Sequence, residues 1–238
     1  MIHIYAHRGL HVHERENTVA AFLAARQLGV DGVEFDVRRT VDGALVVHHD
    51  PACGSLVISE TRQRELPDHL PTLDAALAAC EGMNVNVEIK NSRDRSESTY
   101  DDSGHFARQV VQVLHETGWS ERVIISCFDQ ATCAKVRSID SAVPVGWLLG
   151  KSGSSDALTQ AHILDFTAVH PRFKLLDAAW MIKAHALGLD VNTWTVNRSR
   201  DITAMLDLHV NCIITDNPAR AMALAGRNPP DGGLSPMQ

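Results

Sequence analysis

Acidic and imidazole side chains are concentrated in one short stretch of the sequence, EFDVRRTVDGALVVHHD, residues 34–50. Glu34 and Asp36 stand two positions apart, and a His-His-Asp run follows at residues 48–50. Burying a carboxylate or an imidazole costs free energy unless a partner compensates it. The stretch therefore predicts a site in which these charged groups act together.

The elements that must position these groups follow a regular order. Short β-branched runs alternate with helical patterns, beginning with IHIYAH and then ENTVAAFLAARQLG. Such alternation is typical of a parallel sheet with crossover helices. The pattern gives nine strand candidates, which is one more than a closed barrel of eight parallel strands requires.

The extra strand is explained by a hairpin. Only RRTVDGA separates VEFDV from LVVHH, which is too short for a parallel crossover, and Asp42-Gly43 is typical of a hairpin turn. We therefore predict an α/β fold, a (β/α)8 TIM barrel with a small hairpin and insertion after the second strand. In this fold LVVHH pairs antiparallel with EFDV above the barrel mouth. An open doubly wound sheet is the alternative.

Composition favours one domain. The 238 residues are 45% hydrophobic and 21% charged, and we expect a single barrel domain over residues 1–226, with the hairpin and insertion at 43–71 and a flexible tail at 227–238. The net charge of −7 argues against nucleic acid as a partner. Five cysteines without a CxxC pair predict reduced thiols in a cytoplasmic protein. No apolar run approaches the roughly 18 residues of a spanning helix, so no integral membrane association is expected.

Several strand ends carry charged residues. Catalytic groups of such barrels lie at the C-terminal ends of the strands. Because side chains two positions apart share one face of a strand, Glu34 pairs with Asp36 on one strand, and Glu88 pairs with Lys90 on the next. Three carboxylates at one mouth repel one another unless a cation joins them, and oxygen-only ligands favour Mg²⁺ or Ca²⁺. Each pair alone could be a solvated rim or a surface ion pair, but the clustering on several strands favours a site.

Cations and imidazoles are predicted around the same mouth. Arg8 and Lys90 supply positive charge suited to a phosphate. His7 and His49 titrate near neutrality and can exchange protons. Strand alternation lets only one of His48 and His49 face the site. A cation, two basic side chains and two imidazoles are suited to cleaving a phosphodiester.

The motifs AHRG, ENT, EFDV, TVDGALVVHHD, PTL, VEIK, WTVN and ITDNP, in this order from residue 6 to about residue 218, resemble those of the glycerophosphodiester phosphodiesterase family. The resemblance implies a barrel that uses one divalent cation, Mg²⁺ or Ca²⁺, to hydrolyse a small phosphodiester to glycerol 3-phosphate and an alcohol. The residues that it implicates are Glu34, Asp36 and Glu88 for the metal, His7 and His49 for acid–base catalysis, and Arg8, Lys90 and Trp194 for the substrate.

The resemblance leaves alternatives open. The segment HDPACGSLVISE lacks the leucine, arginine and threonine that often follow HD in the family, so the preferred leaving group is open. A lysophospholipase D-like enzyme could share every catalytic residue but would need an apolar lip or amphipathic segment at the mouth, and the sequence has no clear one. The full set of candidate residues disfavours a non-catalytic binding module.

GWLLGKS at 146–152 has Val145 where a P-loop requires glycine, which disfavours an NTPase. Water and the substrate's own glycerol hydroxyl are both open as nucleophile.

Overall fold

A computed structural model of the chain describes residues 1–93, 100–119, 121–150 and 155–227. The strands are β1 (His3–His7), β2 (Gly32–Arg39), β3 (Leu45–Val47), β4 (Ala52–Cys53), β5 (Leu56–Val57), β6 (Asn84–Ile89), β7 (Val123–Cys127), β8 (Val145–Leu149), β9 (Ala168–Pro171), β10 (Asp190–Thr193) and β11 (Cys212–Thr215). The α-helices are α1 (Val19–Leu28), α2 (Leu73–Ala79), α3 (His105–Thr117), α4 (Gln130–Ile139), α5 (Ser155–Ile163), α6 (Ala178–Ala186), α7 (Ser199–Asp207) and α8 (Pro218–Leu224). Short 3₁₀ helices are formed by Ile58–Glu60, Gln63–Glu65 and Phe173–Leu175.

Eight parallel strands close into a barrel. Strands β1, β2, β6, β7, β8, β9, β10 and β11 are neighbours in that order, and β1 pairs with both β2 and β11. The sheet therefore has no open edge between its first and last strands, which confirms the predicted TIM barrel and excludes the doubly wound alternative. Closure also brings the C-terminal ends of all eight strands to one mouth.

The predicted hairpin is present. Strand β3 runs antiparallel to the end of β2, with Val37 opposite Val47. In the connecting loop the Thr40 amide donates to the Ala44 carbonyl at 2.9 Å, and Gly43 adopts a φ of 84°. Because β3 ends at Val47, the His-His-Asp run at 48–50 follows the strand instead of lying within it.

Residues 51–71 form a small lobe against this hairpin. Strands β4 and β5 pair antiparallel, and the two following 3₁₀ helices return the chain to α2. The lobe has its own apolar cluster, which is separate from the main core and consists of Val46, Ile58, Leu66 and Leu70. The lobe therefore packs onto β3 through Val46 and supports the hairpin from outside the barrel.

Helix α1 fixes the loop that follows β1. Thr18 caps its start by accepting a hydrogen bond from the Ala21 amide, and Gly29 ends it in the left-handed conformation at φ 77°. Phe22 of α1 packs against Phe35 of β2, with ring centroids 5.3 Å apart. Helix α1 is therefore held against the barrel, and it fixes the end of the loop that leads into it.

The segment that follows α8 returns to the base of the barrel at Arg227. Arg227 makes two hydrogen bonds to the Asp31 carboxylate, at 2.5 and 2.9 Å. The remainder of the predicted tail, residues 228–238, lies outside the described residues. None of the helices in the described ranges is both long and apolar enough to cross a membrane.

Candidate active site

The end of β1 turns sharply over the end of β2. Arg8 and Gly9 both have positive φ, 56° and 83°, and the Arg8 amide donates to the Glu34 carbonyl at 2.8 Å. A Cβ on Gly9 would lie 2.8 Å from the Ala21 Cβ, so only glycine fits between this turn and α1. The left-handed Arg8 is a strained position of the kind that clusters at functional sites. This turn brings His7 and Arg8 beside the acids of β2.

Three carboxylates lie together at the barrel mouth. Glu34 and Asp36 project from β2, and the Cα of Asp36 is in register with that of Glu88 on β6. Oxygen atoms of all three lie within 4.8 Å of one another, and all three residues are buried. The structure thus brings together the three acids that were predicted to share one cation.

Two cations offset the charge of Asp36. Lys90 Nζ lies 2.8 Å from Asp36 Oδ1 and 2.5 Å from Glu88 Oε1, and Arg8 Nε lies 3.4 Å from Asp36 Oδ2. Asn17 also donates to Asp36 Oδ2 at 2.8 Å. Burial opposes ionisation of Asp36, but Lys90 and Arg8 outweigh it and hold its pKa well below the usual range. Asp36 is therefore a carboxylate with several partners.

Glu34 is the least compensated of the three acids. Its Oε2 accepts a hydrogen bond from the Arg8 amide at 3.2 Å, whereas its buried Oε1 has no hydrogen-bond partner among the described residues. Burial and the neighbouring charge of Asp36 raise the pKa of Glu34 to about 8. An orphaned buried oxygen within an oxygen-only cluster fits a hard divalent cation as its missing partner.

Asp216 orients His7. His7 Nδ1 lies 2.6 Å from Asp216 Oδ1, and His7 Nε2 lies 3.8 Å from Glu34 Oε2. Because hydrogen bonds from His11 and His7 hold the pKa of Asp216 far below normal in spite of burial, Asp216 is an acceptor only and His7 Nδ1 must be the donor. Burial disfavours the imidazolium, but the Asp216 hydrogen bond and the charge of Glu34 prevail and raise the pKa of His7. His7 thus turns Nε2 toward the acids.

Asp216 is a site residue that has no assigned role among the sequence predictions. Its position at the end of the last strand, within ITDNP, was the available signal. Asn197 Nδ2 donates to Asp216 Oδ2 at 2.5 Å, and the Asp216 amide donates to Asn197 Oδ1 at 2.9 Å. Asn197 therefore fixes the carboxylate that orients His7.

The hairpin separates the two adjacent histidines. His49 Nδ1 lies 2.8 Å from Asp50 Oδ1, and the Arg38 guanidinium donates to the His49 carbonyl at 2.9 and 2.5 Å. His48 Nε2 instead lies 3.2 Å from the Ala52 carbonyl in the insertion, and burial lowers its pKa. Only His49 lines the cavity with His7.

A cavity of about 190 Å³ joins the predicted residues. Of the eight residues singled out from the sequence, those that line it are His7, Arg8, Glu34, His49, Glu88, Lys90 and Trp194. Asp36 lies beneath the surface and is 1% exposed. Trp194 donates from Nε1 to the His170 carbonyl at 2.7 Å and meets Phe128 edge-to-face, with centroids 5.5 Å apart. Phe128 was not predicted as a site residue, because nothing in RVIISCF distinguishes it from a packing residue.

A TIM barrel with carboxylates, imidazoles and basic side chains at its mouth has the organisation of a hydrolase of phosphate esters. The model of the glycerophosphoryl diester phosphodiesterase family matches residues 7–66 and 54–220. The chain therefore belongs to this family of phosphoric diester hydrolases, as its motifs predicted, and it is an enzyme of that class.

Individual members of the family align with nearly the whole chain. A glycerophosphodiester phosphodiesterase of Caldanaerobacter subterraneus is 28% identical and aligns over 90% of this chain and 94% of its own. The crystal structure of a glycerophosphodiester phosphodiesterase from Parabacteroides distasonis superposes with a TM-score of 0.84 at 25% identity, covering 94% of this chain and 97% of that one. A phosphodiesterase of Oleispira antarctica, solved with its product sn-glycerol-3-phosphate, shares the fold at a TM-score of 0.83 and 21% identity, covering 94% and 96%.

Proposed function

We propose that the protein hydrolyses glycerophosphodiesters to glycerol 3-phosphate and an alcohol, with one divalent cation, Mg²⁺ or Ca²⁺. The observation that carries the proposal is the position of His7 Nε2, which lies 3.8 Å from Glu34 Oε2 in a cavity that His49 and Lys90 also line. Acid–base groups and acidic ligands within one small cavity suit phosphoryl transfer.

Glu34, Asp36 and Glu88 would hold the cation. Bound there, it supplies Lewis acidity toward the phosphoryl oxygens and orients the attacking hydroxyl. Lys90 lies beside both Asp36 and Glu88, and Arg8 lies beside Asp36. From these positions Lys90 and Arg8 would direct positive charge at the phosphate and stabilise the charge that grows on it in the transition state.

His7 and His49 would act as the acid–base pair. Each has Nδ1 close to a carboxylate, that of Asp216 for His7 and that of Asp50 for His49. This arrangement leaves Nε2 of each ring available to the substrate, one to take a proton from the nucleophile and the other to protonate the leaving oxygen. Water and the glycerol hydroxyl of the substrate are both compatible with this pair.

The substrate class rests on the family and on the chemistry of the site. The matching family and the relative from Caldanaerobacter carry the name glycerophosphodiester phosphodiesterase. A small-molecule phosphodiester is the partner that we propose, with Trp194 lining the glycerol or leaving-group side of the cavity. The cytoplasmic location that the cysteine pattern indicated stays a prediction.

A lysolipid is the second candidate substrate. Phe128 is 42% exposed and packs its ring against Trp194 at the cavity mouth, which supplies an apolar surface that a lysolipid chain could use. Such a substrate would need the same acids and histidines. The two candidates differ only in what they require outside the cavity.

A substrate panel separates the two candidates. Soluble deacylated phospholipid headgroups and intact lysolipid vesicles are offered to the same protein with Mg²⁺ or Ca²⁺, and release of the headgroup alcohol, which hydrolysis liberates from either substrate, is measured. The proposal expects turnover of the soluble diesters. Turnover on vesicles without turnover on soluble diesters would favour the lysolipid activity. In that case replacing Phe128 by serine should impair the reaction on vesicles.

A further inference from the structure

His7, His11 and Asp216 form a second cluster with metal-ligating side chains. His11 lies in the loop between β1 and α1, and its Nε2 is 3.4 Å from Asp216 Oδ1. His7 Nδ1 approaches the same oxygen at 2.6 Å, and one ligand atom from each residue lies within 4.8 Å of the others. This cluster shares His7 with the candidate active site but uses a different nitrogen of its ring. Nδ1 faces Asp216, whereas Nε2 faces the three carboxylates.

We propose that this cluster is a binding site for Zn²⁺, and that zinc bound there switches the enzyme off. Two imidazole nitrogens and one carboxylate oxygen are a donor set that zinc prefers, whereas Mg²⁺ and Ca²⁺ prefer oxygen alone. The site would thus select a different metal from the one that the three acids are suited to hold.

The distances in the cluster approach those of a tetrahedral zinc centre. Bonds of roughly 2.0–2.1 Å place neighbouring ligand atoms roughly 3.4 Å apart. The 3.4 Å between His11 Nε2 and Asp216 Oδ1 already matches this spacing. The 2.6 Å contact between His7 Nδ1 and Asp216 Oδ1 must open by roughly 0.8 Å, a small side-chain rotation, as zinc replaces the proton between them.

The surroundings of the cluster favour a metal site. The side chains of His7, His11 and Asp216 are 18%, 24% and 31% exposed, so an ion can reach them from solvent. Asp216 Oδ2 is held by Asn197 at 2.5 Å, which orients the carboxylate and leaves Oδ1 directed at the imidazoles. Such a hydrogen bond to a ligand is typical of protein metal sites.

The inhibition, but not the binding, depends on the proposed role of His7. Zinc at Nδ1 would remove the proton that Asp216 accepts, and the positive charge would lower the basicity of Nε2. The same imidazole could then neither take a proton from the nucleophile nor deliver one to the leaving oxygen. Zinc binding and turnover would therefore exclude each other.

Zinc affinity tests the site without reference to activity. The full chain carrying Glu88→Gln, which weakens the carboxylate site, is titrated with Zn²⁺ against a chromophoric zinc chelator. Adding His11→Asn should lower the affinity by at least about tenfold, the scale for losing even an indirect contributor to a metal site. Adding His13→Asn, an exposed histidine of the same loop, should not, and neither should Cys53→Ser, which removes the thiol near His69.

Cobalt provides a second readout of the same site. Co²⁺ in place of zinc should give visible absorption bands typical of tetrahedral coordination. These bands should persist in His13→Asn and vanish in His11→Asn. Equal zinc affinity and equal cobalt spectra in the His11→Asn and His13→Asn chains would overturn the proposal.

Inhibition is measured separately, on the otherwise unaltered chain with saturating Mg²⁺ and a soluble glycerophosphodiester. Micromolar Zn²⁺ should reduce turnover at least about tenfold, given that one acid–base group contributes 10²-fold or more. The His11→Asn enzyme should lose this sensitivity to zinc, measured as the ratio of its turnover with zinc to its own turnover without zinc. Zinc that activates, or that inhibits both enzymes alike, would overturn the switch. If no glycerophosphodiester is turned over at all, the proposed function fails, while the zinc affinities still decide whether the site exists.

Discussion

His7 and Asp216, which are 209 positions apart in the sequence, are joined by a 2.6 Å contact from Nδ1 to Oδ1. The contact exists because barrel closure pairs β1 with β11. An ionised carboxylate can only accept, so the contact fixes the proton on Nδ1 and directs Nε2 at the acids. The orientation of a predicted catalytic group is thus set by a residue from the opposite end of the chain.

Asp216→Asn should therefore impair turnover without unfolding the barrel. An amide can present its nitrogen to His7 and favour the wrong tautomer, so we expect kcat to fall by about 10- to 100-fold, the scale for a residue that orients a functional histidine. Affinity for Mg²⁺, measured by calorimetric titration, should stay unchanged. Asp190→Asn, at the other end of the barrel, is the matched control and should be silent. Normal kcat in Asp216→Asn would contradict the orienting role.

The adjacent histidines of the hairpin should behave differently. His49 lines the cavity, whereas His48 contacts the Ala52 carbonyl in the insertion. His49→Ala should lower turnover by about 10²-fold or more with metal affinity kept, while His48→Ala should be nearly silent. A substrate with a good leaving group, such as nitrophenolate, should rescue whichever of the His7→Ala and His49→Ala enzymes lacks the general acid. If His48→Ala lowered turnover and His49→Ala did not, His48 and not His49 would be the imidazole that acts in the site.

Two of the three acids, Glu34 and Asp36, should differ in what their removal does to the stability of the protein. Glu34 Oε1 has no hydrogen-bond partner among the described residues, whereas Asp36 compensates buried Lys90 and Arg8. Glu34→Gln should abolish ion binding and leave the urea-unfolding free energy nearly unchanged. Asp36→Asn should abolish binding and also cost about 1–3 kcal/mol, because it leaves buried cations poorly paired. Equal and large losses of stability in both variants would mean that these acids serve the fold alone.

A histidine inside the barrel should make stability depend on pH. His170 is fully buried between the side-chain amides of Asn86 and Asn192, and burial lowers its pKa to about 3. Between that value and roughly 6.5 the unfolded chain binds a proton that the folded chain does not. The free energy of unfolding that depends on neutral His170 is therefore fully present above roughly pH 6.5 and is lost as the pH falls below it. From pH 7 to pH 5 the loss should be about 2 kcal/mol.

Urea unfolding at several pH values, compared between the parent protein and its variants, measures how much His170 contributes to the pH dependence of stability. His170→Asn lowers the overall stability but should also flatten its dependence on pH between 5 and 7. His13→Asn, which removes an exposed imidazole, should keep the slope of the parent protein. Parallel pH curves for the parent and His170→Asn would show that His170 binds a proton equally in the folded and unfolded states, which would contradict its lowered pKa.

The barrel and the meeting of the three acids at its mouth follow from local patterns. The number of strands came from the alternation of runs, and the Asp42-Gly43 turn removed the extra strand. Alternation along β2 and β6 placed Glu34, Asp36 and Glu88 on shared faces. These inferences succeeded because strand periodicity and turn chemistry act over a few residues.

The contacts that orient the site depend on the closed fold and could not be found in this way. The bond from Arg38 to the His49 carbonyl requires the exact register of the hairpin, and the one from His7 to Asp216 requires closure. The polar barrel interior was also hidden, since AVHP has the pattern of an ordinary strand. Gly146 admits His170 there, because a Cβ at that position would lie 2.2 Å from His170 Nε2. The glycine that suggested a P-loop therefore has a packing role.

On the proposed function, the acids at the barrel mouth hold a cation for phosphodiester hydrolysis, and chelation followed by restoration of the ion is the decisive measurement. Protein freed of metal by a chelator is given a soluble glycerophosphodiester, and the products are followed by phosphorus NMR with and without added Mg²⁺ or Ca²⁺. We predict that glycerol 3-phosphate appears only when an ion is restored, and that it does not appear with Glu34→Gln at the same ion concentration. Undiminished product formation in the chelated protein, or in Glu34→Gln, would contradict the claim.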